Sequence, residues 1–356
     1  MSLSKKIITF LLAVTMVLSV AACGDPQKET VPQTQGQKPS STHVQQPTGT
    51  QGENAPTMPE ENISDGLKDV VDMLLERSAV PAYGSIGGEW MAMGLSRLSP
   101  QAYSQWLEDY YQALEAHVAE CDGVLNKRKY TEYSRVILAV TAIGKDPTNV
   151  SGYNLLIPLA DYEQTVYQGI NGAVFALLAL DSGNYLIPEN VKNSTQATRE
   201  AYVDYILKEQ LPEGGWSLAG GEPEVDITAM ALQALAKYRQ RQDVSEAIEK
   251  ALQILSETQN AEAGYTAYRV DSSESVAQVI VALTELGISM DDERFVKNGK
   301  TLEYRLLDFQ AENGGFEHLL GKGTDPVATE QAFYALVALH RQKMGMSSLY
   351  DMSDVK

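Results

Sequence analysis

Four acidic residues lie near the starts of apolar segments whose spacing predicts helices: Glu132, Asp226, Glu274 and Glu330. Enzymes that break glycosidic bonds use two carboxyl groups, one as proton donor and one as base or nucleophile. If the apolar helices form a ring, their starts face one mouth and the carboxylates face it with them. Because the helix dipole favours acids at N-termini in any protein, the pattern offers candidates without establishing an active site.

Asp226 also has a purely structural interpretation. An Asp directly before an apolar helix can cap it, because its side chain accepts a hydrogen bond from a free backbone N–H group. Asp271, three residues before Glu274, resembles a capping box, and Asp325 begins the last apolar helix. This repetition favours the prediction that Asp226 is an N-cap.

The remaining reactive side chains do not form a recognisable site. Cys121 is far in sequence from His318 and His340, so no zinc site is predicted. The acidic run Asp291-Asp292-Glu293 begins a polar helix, where acids offset the helix dipole, and we do not interpret it as a magnesium site. Nucleophile motifs, phosphate-binding glycine loops and dinucleotide motifs are not visible. We predict no metal and no cofactor from these residues.

The overall charge excludes one large class of partner. The 356 residues carry a formal net charge of −19, and no basic stripe is present to neutralise phosphates. We therefore predict no nucleic-acid partner, and no electrostatic attachment to anionic lipid.

Helical periodicity dominates the chain from residue 62 onward. Polar-backed helices alternate with apolar, small-residue-rich helices. The polar-backed helices are predicted at 64–77, 100–121, 153–164, 194–210, 243–259 and 291–310. The apolar helices are predicted at 87–98, 129–143, 169–180, 226–238, 273–286 and 326–343.

An internal repeat links these helices. A Gln is followed four and five residues later by two small residues and then by an aromatic one, ending at Trp216, Tyr265 and Phe316. Copies at a spacing of roughly fifty residues indicate stacked units of one supersecondary motif. We predict an all-α fold, an α6/α6 toroid in which six hairpins close into a ring with the apolar helices inside. An open superhelix of hairpins is the alternative.

The motif Gln-x-x-x-Gly-Gly-Trp at Gln210, with its copy ending in Phe at Gln310, resembles the terpenoid cyclase/prenyltransferase toroid superfamily. More narrowly, it is similar to squalene-hopene-cyclase-type repeats. The resemblance covers about residues 194–338. It implies the toroid fold but leaves the activity open, because that superfamily includes cyclases, prenyltransferases, complement thioester domains and vitamin B12 carriers.

The resemblance also implies one catalytic role. Residues 224–229 look like the Asp-x-Asp-Asp-Thr-Ala segment of class II terpene cyclases, in which the middle Asp protonates an alkene, and Asp226 occupies that position. Glu224 and Ile227 depart from the pattern, so a neighbouring carboxylate of the acid cluster is lost. A squalene-cyclase-like isoprenoid cyclase (an isomerase or lyase) is therefore one alternative function.

The N-terminal region predicts export and anchoring. Residues 1–22 combine two lysines, an apolar run and small residues, which is typical of a signal peptide. The sequence Val-Ala-Ala-Cys resembles a bacterial lipobox, which implies lipidation at Cys23. Residues 23–61 lack large apolar side chains and predict a disordered tether, followed by a domain at 62–350 and a tail at 351–356. The expected location is the outer face of the cytoplasmic membrane, where only the lipid anchor touches the membrane.

We expect a non-catalytic binding function, although the sequence does not decide whether the protein is an enzyme. Similarity to the B12 carriers suggests a corrinoid-like ligand, and a second surface protein is the other expected partner. A polysaccharide-active enzyme on an α6/α6 barrel is a further alternative. The residues predicted to line the mouth are Trp90, Tyr133, Asn171, Asp226, Gln278, Glu330 and Tyr334.

Overall fold

The computed structural model describes residues 64–192, 194–267 and 270–355. These residues form twelve α-helices: α1 Asp65–Arg77, α2 Trp90–Leu98, α3 Ser104–Glu120, α4 Thr131–Ala142, α5 Tyr162–Thr165, α6 Ile170–Ser182, α7 Arg199–Lys208, α8 Val225–Leu235, α9 Gln242–Thr258, α10 Ser273–Glu285, α11 Leu302–Leu307 and α12 Pro326–Lys343. Short 3-10 turns at Ile157–Ala160, Val166–Gln168 and Ala236–Tyr238 connect them, with an antiparallel pair of strands, β1 Thr266–Ala267 and β2 Val270–Asp271.

The even-numbered helices form a closed inner ring. Each of them contacts the next one along the chain, and α12 contacts α2, so the first and last hairpins meet. The odd-numbered helices lie outside and contact the inner helices. This closure confirms the predicted α6/α6 toroid and excludes the open superhelix.

The inner helices carry small residues because they lie very close together. Gly94 of α2 faces the ring of Phe333 on α12, and a Cβ atom at this position would overlap that ring. Helix α6 is buried on nearly all sides, as its continuous apolar sequence predicts. Small side chains therefore set the spacing that lets six helices close into a ring.

The repeated Gln joins neighbouring hairpins. The side-chain amide of Gln210 donates to the carbonyl oxygen of Ala247 at 2.8 Å, and that of Gln310 donates to Gly66 at 2.8 Å. The motif aromatics Trp216 and Phe316 are fully buried between hairpins. The last copy of the motif thus holds the ring closed against α1.

Gly66→Ala is expected to weaken this closure. A Cβ atom at Gly66 would lie 2.6 Å from Leu307 Cδ2 and 2.8 Å from Gln310 Oε1. Because both atoms are ends of side chains that can move, we expect a cost at the low end of the range for overpacking, about 1 kcal/mol, which a urea titration of unfolding would measure. The control is Glu76→Ala, an exposed position of the same helix. If the free energy of unfolding is equal in the two variants, the contact between α1 and the last copy of the motif does not stabilise the ring.

The outer helix predicted at 291–310 is much shorter than expected, because only Leu302–Leu307 is helical. Asn298 and Gly299 both adopt positive φ angles, 52° and 76°, which a continuous α-helix does not allow. Before them, the side chain of Asp292 accepts a hydrogen bond from the backbone N–H of Arg294 at 3.0 Å and stabilises a turn instead.

Asp226 is not the cap of its helix, so that prediction is wrong. Helix α8 begins at Val225 and has Glu224 at its N-cap, which places Asp226 within the first turn. Asp271 is not a cap either, because Ser272 caps α10. Asp325 caps α12 as predicted, since it accepts from Val327 N at 2.8 Å. The carboxyl group of Asp226 therefore has no capping duty.

Residues that follow α12 cover the C-terminal ends of the inner helices. Asp354 forms ion pairs with Arg97 at 2.6 Å and Arg341 at 2.5 Å, and Met352 N donates to Ser182 O at 3.1 Å. Residues 351–355, which the sequence predicts as a tail, thus pack against the ring and cover its far end.

The predicted signal peptide, the lipidation site Cys23 and the tether lie outside the described residues. Among the helices that the structure describes, none has both the length and the apolar character that a membrane span requires.

Candidate active site

The N-terminal ends of the inner helices surround one mouth of the toroid, and an aromatic group lies there. Trp90, at the start of α2, packs against Tyr334 of α12 with ring centroids 5.7 Å apart and against Phe175 of α6 at 6.1 Å. Trp90 is half-buried, whereas Tyr334 is buried. Three inner helices thus contribute a continuous apolar surface.

Asp226 lies in the first turn of α8, beside Ser275 and Glu274 of α10. Its Oδ1 atom is buried and has no hydrogen-bond partner among the described residues. Burial, opposed by a hydrogen bond from Ser275 and reinforced by the charge of Glu274, raises the pKa of Asp226 to about 6. Below about pH 6 this carboxyl group is mostly protonated, and its Oδ1 atom is still without a hydrogen-bond partner in the described residues.

Glu274 is held by a histidine from the next repeat. His318 Nδ1 lies 2.8 Å from both carboxylate oxygens of Glu274. This hydrogen bond raises the pKa of His318, although partial burial opposes the shift. The hydroxyl of Ser273 donates to Glu317 O at 2.8 Å and fixes the histidine loop to the start of α10. A protonated His318 stabilises the negative charge of Glu274.

A ladder of amides lies below these acids. Gln278 Nε2 donates to Tyr334 Oη at 2.5 Å and to Gln331 Oε1 at 2.9 Å. Gln233 Nε2 in turn donates to Gln278 Oε1 at 3.0 Å. The amides on α8, α10 and α12, of which Gln233 and Gln278 are buried, therefore hydrogen-bond to one another and fix the position of the Tyr334 hydroxyl.

Glu330 has a different environment from Asp226. One of its oxygens accepts from Gly87 N at 2.5 Å and from Arg77 at 2.8 Å. Burial raises the pKa of Glu330 to about 7, while these donors oppose the shift. Because its hydrogen bonds tie α12 to the irregular turn Ser85–Glu89, we assign Glu330 to the support of the mouth.

A buried ion cluster supports the neighbouring part of the rim. Arg135 donates from Nε to Glu89 at 2.9 Å and from a terminal nitrogen to Glu132. Glu89, which is completely buried, also accepts from Gly84 N at 3.0 Å. Glu132 is a candidate for acid chemistry in the sequence analysis. Its carboxylate is already engaged in an ion pair with Arg135.

The structure brings together five of the predicted lining residues around the mouth: Trp90, Asp226, Gln278, Glu330 and Tyr334. Tyr133 is buried away from this group, edge-on to Tyr130 with ring centroids 5.5 Å apart. Asn171 is buried at the start of α6.

Sequence reasoning missed His318 as a site residue. It lies two residues after Phe316 in the last repeat, at the position of Leu218 in the first one. This departure from the repeat is the signal that could have identified it.

No metal centre is apparent in the part of the chain that the structure describes, since no group of three or more His, Cys, Asp and Glu side chains is arranged to hold an ion there. Two open surface grooves of about 480 and 520 Å³ lie elsewhere, near the end of α9 and before α7. Neither joins two buried carboxyl groups, so the acids at the mouth remain the best candidate for chemistry.

No family model and no curated protein matches the chain. Among solved structures, it is similar to the unsaturated glucuronyl hydrolase from Bacillus sp. GL1, which is responsible for the degradation of glycosaminoglycan. The TM-score is 0.51 at 12% identity, with 81% of this chain and 98% of that chain covered. A protein from Actinoplanes has a TM-score of 0.48 at 12% identity, with coverages of 78% and 98%.

The comparison places this chain among proteins of the α/α-toroid fold. It contradicts the predictions of a non-catalytic binding protein and of a non-enzyme, because the similar toroid is a glycan-degrading hydrolase. It supports the toroid part of the family resemblance but not the squalene-cyclase type. At 12% identity the likeness shows the fold alone, so the reaction must be argued from the site.

Proposed function

We propose that this protein is a glycan-active enzyme of the glycosidase type, with its active site at the mouth of the toroid. The observation that carries the proposal is the pair formed by Asp226 and Glu274. Asp226 has a buried oxygen without a hydrogen-bond partner in the described residues and a pKa raised to about 6, whereas Glu274 is hydrogen-bonded to His318. Two neighbouring carboxyl groups in contrasting environments are what acid–base cleavage of a glycoside requires.

In the proposed reaction, protonated Asp226 donates its proton to the glycosidic oxygen while the bond from that oxygen to the anomeric carbon breaks. Glu274 is the second carboxylate, and it stabilises the positive charge that develops on the sugar. Water supplies a hydroxyl group to the anomeric carbon, and its remaining proton restores the acid. His318 acts through Glu274, whose orientation it fixes.

The aromatic group supports a sugar substrate. Trp90 and Phe175, which are half-buried, offer ring faces and edges to the apolar C–H surfaces of a pyranose, and the buried Tyr334 packs against Trp90. The hydrogen bond from Gln278 to Tyr334 Oη fixes the tyrosine that supports Trp90.

The pH dependence of the rate tests this proposal. Asp226 must be protonated to act as the acid, so kcat/KM should fall as the pH rises through about 6. We expect roughly a tenfold loss per pH unit on this limb. Release of reducing ends from a panel of oligosaccharides, measured between mildly acidic and alkaline pH, would give the profile. A rate that increases through this range would assign the proton donor elsewhere.

We propose that the repeat unit of this chain is of the squalene-cyclase type, and we extend this likeness to the structure of the repeat only. The buried aromatics Trp216, Tyr265 and Phe316 support it, since they occupy equivalent places between hairpins. Isoprenoid cyclisation is not proposed, because Ile227 replaces a neighbouring Asp of the cyclase motif, and the carboxyl group near Asp226 is that of Glu274 from another hairpin.

We also propose lipid anchoring at Cys23, with residues 23–61 as a tether and the toroid outside the cytoplasmic membrane. The lipobox-like Val-Ala-Ala-Cys sequence supports this proposal. In a bacterial host, Cys23→Ala should abolish incorporation of labelled fatty acid and release the protein from the membrane fraction, whereas Cys121→Ala should change neither. Equal labelling of Cys23→Ala and the native chain would contradict the anchor.

A further inference from the structure

An exposed tyrosine lies on the rim of the mouth, apart from the acids and from the aromatic group at Trp90. Tyr167 belongs to the short turn Val166–Gln168, three residues before the inner helix α6. Its side chain is 55% exposed. A single exposed apolar side chain is ordinary on a protein surface, so the surroundings of Tyr167 decide what it can do.

The backbone around Tyr167 is attached to the start of the neighbouring inner helix. Gln168 Oε1 accepts from Thr131 N at 3.1 Å, and Gln168 Nε2 donates to the hydroxyl oxygen of Thr131 at 3.1 Å. On the α4 side, Asn126 Oδ1 accepts from the backbone N–H groups of Arg128 and Lys129, each at 2.9 Å. Both loops are therefore held in place before any ligand arrives, which lowers the entropy that binding would cost.

Arg128 and Tyr167 form a pair across these two loops. The guanidinium carbon of Arg128 lies 5.0 Å from the centroid of the Tyr167 ring. Arg128 is exposed, and its side chain forms no ion pair with a carboxylate in the described part of the chain. Its N–H groups therefore remain able to donate to a ligand beside the ring. An aromatic ring with adjacent donors suits a sugar, which presents both C–H surfaces and hydroxyl groups.

The pair lies one helix away from Asp226 around the rim. Helix α6 contacts α8 on one side and α4 on the other. Packed helices lie about 8–10 Å apart, so the turn before α6 is close to the first turn of α8, where Asp226 lies. A glycan chain bound at Asp226 can reach Tyr167 with a unit a few positions along the chain.

We propose that Tyr167 and Arg128 form a sugar-binding subsite on the rim, which holds a unit of a glycan chain several positions from the bond cleaved at Asp226. This inference rests on the proposed function. The sugar ring stacks on the exposed part of Tyr167, and Arg128 donates to its hydroxyl groups. The substrate class is therefore a glycan chain of several units, and its affinity increases with chain length.

The chain offers a matched control for the tyrosine. Tyr304 lies on the outer helix α11, and its side chain is 52% exposed. Lys300 Nζ lies 5.4 Å from the centroid of its ring. Tyr304 thus has nearly the same exposure and a cation of its own, but it does not belong to the turns that precede the inner helices.

Association constants for short and long oligosaccharides test the subsite. The probes are the disaccharide and the hexasaccharide of β-1,4-linked glucose, N-acetylglucosamine and glucuronic acid, measured by calorimetry in the Asp226→Asn protein to prevent cleavage. For each series that binds, Tyr167→Ala should lower the association constant of the hexasaccharide roughly three- to tenfold and that of the disaccharide much less. Tyr167→Phe keeps the ring and should retain most of the affinity, and Tyr304→Ala should change neither length.

Other results would overturn the subsite. These are no loss in Tyr167→Ala, an equal loss for both lengths, an equal loss in Tyr304→Ala, a Tyr167→Phe protein as weak as Tyr167→Ala, or no binding in any series. Cleavage of glycans by the native protein without any effect of Tyr167 would leave the glycan-active function standing. Binding of long chains that depends on Tyr167, without cleavage by the native protein, would support the subsite and count against the enzymatic function.

Discussion

Asp226→Asn is expected to lower kcat on any cleaved glycan by roughly 10²–10⁴-fold, the usual contribution of general acid catalysis. The amide keeps the size of the side chain but has no acidic proton to donate to the glycosidic oxygen. KM should change much less, because the proposed stacking surface at Trp90 and Phe175 is unchanged. Initial rates of reducing-end release at saturating substrate would measure the loss.

The same substitution is expected to stabilise the fold above neutral pH. The pKa of Asp226 is about 6 in the folded protein and about 3.9 in an unfolded chain. Since the folded state holds the proton more tightly, the contribution to stability is full below about pH 4 and is lost as the pH rises to about 6. At pH 8, Asp226→Asn should therefore gain about 1–2 kcal/mol, less than the full pKa difference would give, because the side chain is partly open to solvent.

Glu222→Gln is the matched control for both effects. It removes one exposed carboxylate from the turn just before α8, outside the buried group of acids. We expect native kcat and an unchanged free energy of unfolding. If Asp226→Asn and Glu222→Gln had the same kcat, Asp226 could not be the acid. If Asp226→Asn had a lower free energy of unfolding than the native protein at pH 8, the carboxylate of Asp226 would stabilise the fold. We would then be wrong that its burial is unfavourable.

Asp354→Asn should cause the largest loss of stability at the opposite end of the ring. Asp354 contacts Arg97 at 2.6 Å and Arg341 at 2.5 Å, and both arginines are almost completely buried. Removing one partner of a buried pair leaves an uncompensated charge, which costs about 3–5 kcal/mol. Because the side chain of Asp354 is itself 38% exposed, we expect about 2–3 kcal/mol in a urea titration at pH 7.

The pH dependence of the free energy of unfolding shows whether the charged form of Asp354 stabilises the fold. Burial alone would raise the pKa of Asp354, but hydrogen bonds from Arg97 and Arg341 outweigh it and lower the pKa to about 2. Its contribution is therefore present above about pH 4, the pKa of an unfolded Asp, and is lost as the pH falls towards 2. Asp354→Asn should flatten this part of the stability profile. Asp351→Asn, whose backbone oxygen rather than its side chain contacts Arg97, is the control and should keep the native profile.

Much of the fold can be predicted from the sequence, because the patterns that determine each hairpin are local and are repeated along the chain. The small residue pairs before Trp216 and Phe316 recur a short distance before an apolar helix, so the period of the units and the burial of the aromatics could be predicted. Closure of the ring was predicted from the number of units, and the contact of α12 with α2 confirms it. The short helix α11 was not predicted, since the local turn at Asn298 and Gly299 overrides an otherwise amphipathic pattern.

The site depends on contacts between distant residues, and these the sequence does not reveal. His318 and Glu274 are 44 positions apart and belong to successive hairpins. Glu132 and Asp226 look alike in the sequence, since each is an acid at the start of an apolar helix. Arg135 forms an ion pair with Glu132 from three residues further along the same helix, a spacing that the sequence does show. What the sequence does not show is that Asp226 lies beside Glu274 of another hairpin and that its Oδ1 atom has no hydrogen-bond partner among the described residues.

Mass spectrometry of oligosaccharides incubated with the native protein and with Asp226→Asn in ¹⁸O-labelled water tests the central claim most directly. The account predicts shorter products carrying ¹⁸O at the new reducing end with the native protein, and essentially none with Asp226→Asn. Intact oligosaccharides after incubation with the native protein across neutral, amino and acidic glycans, or equal product from both proteins, would contradict it.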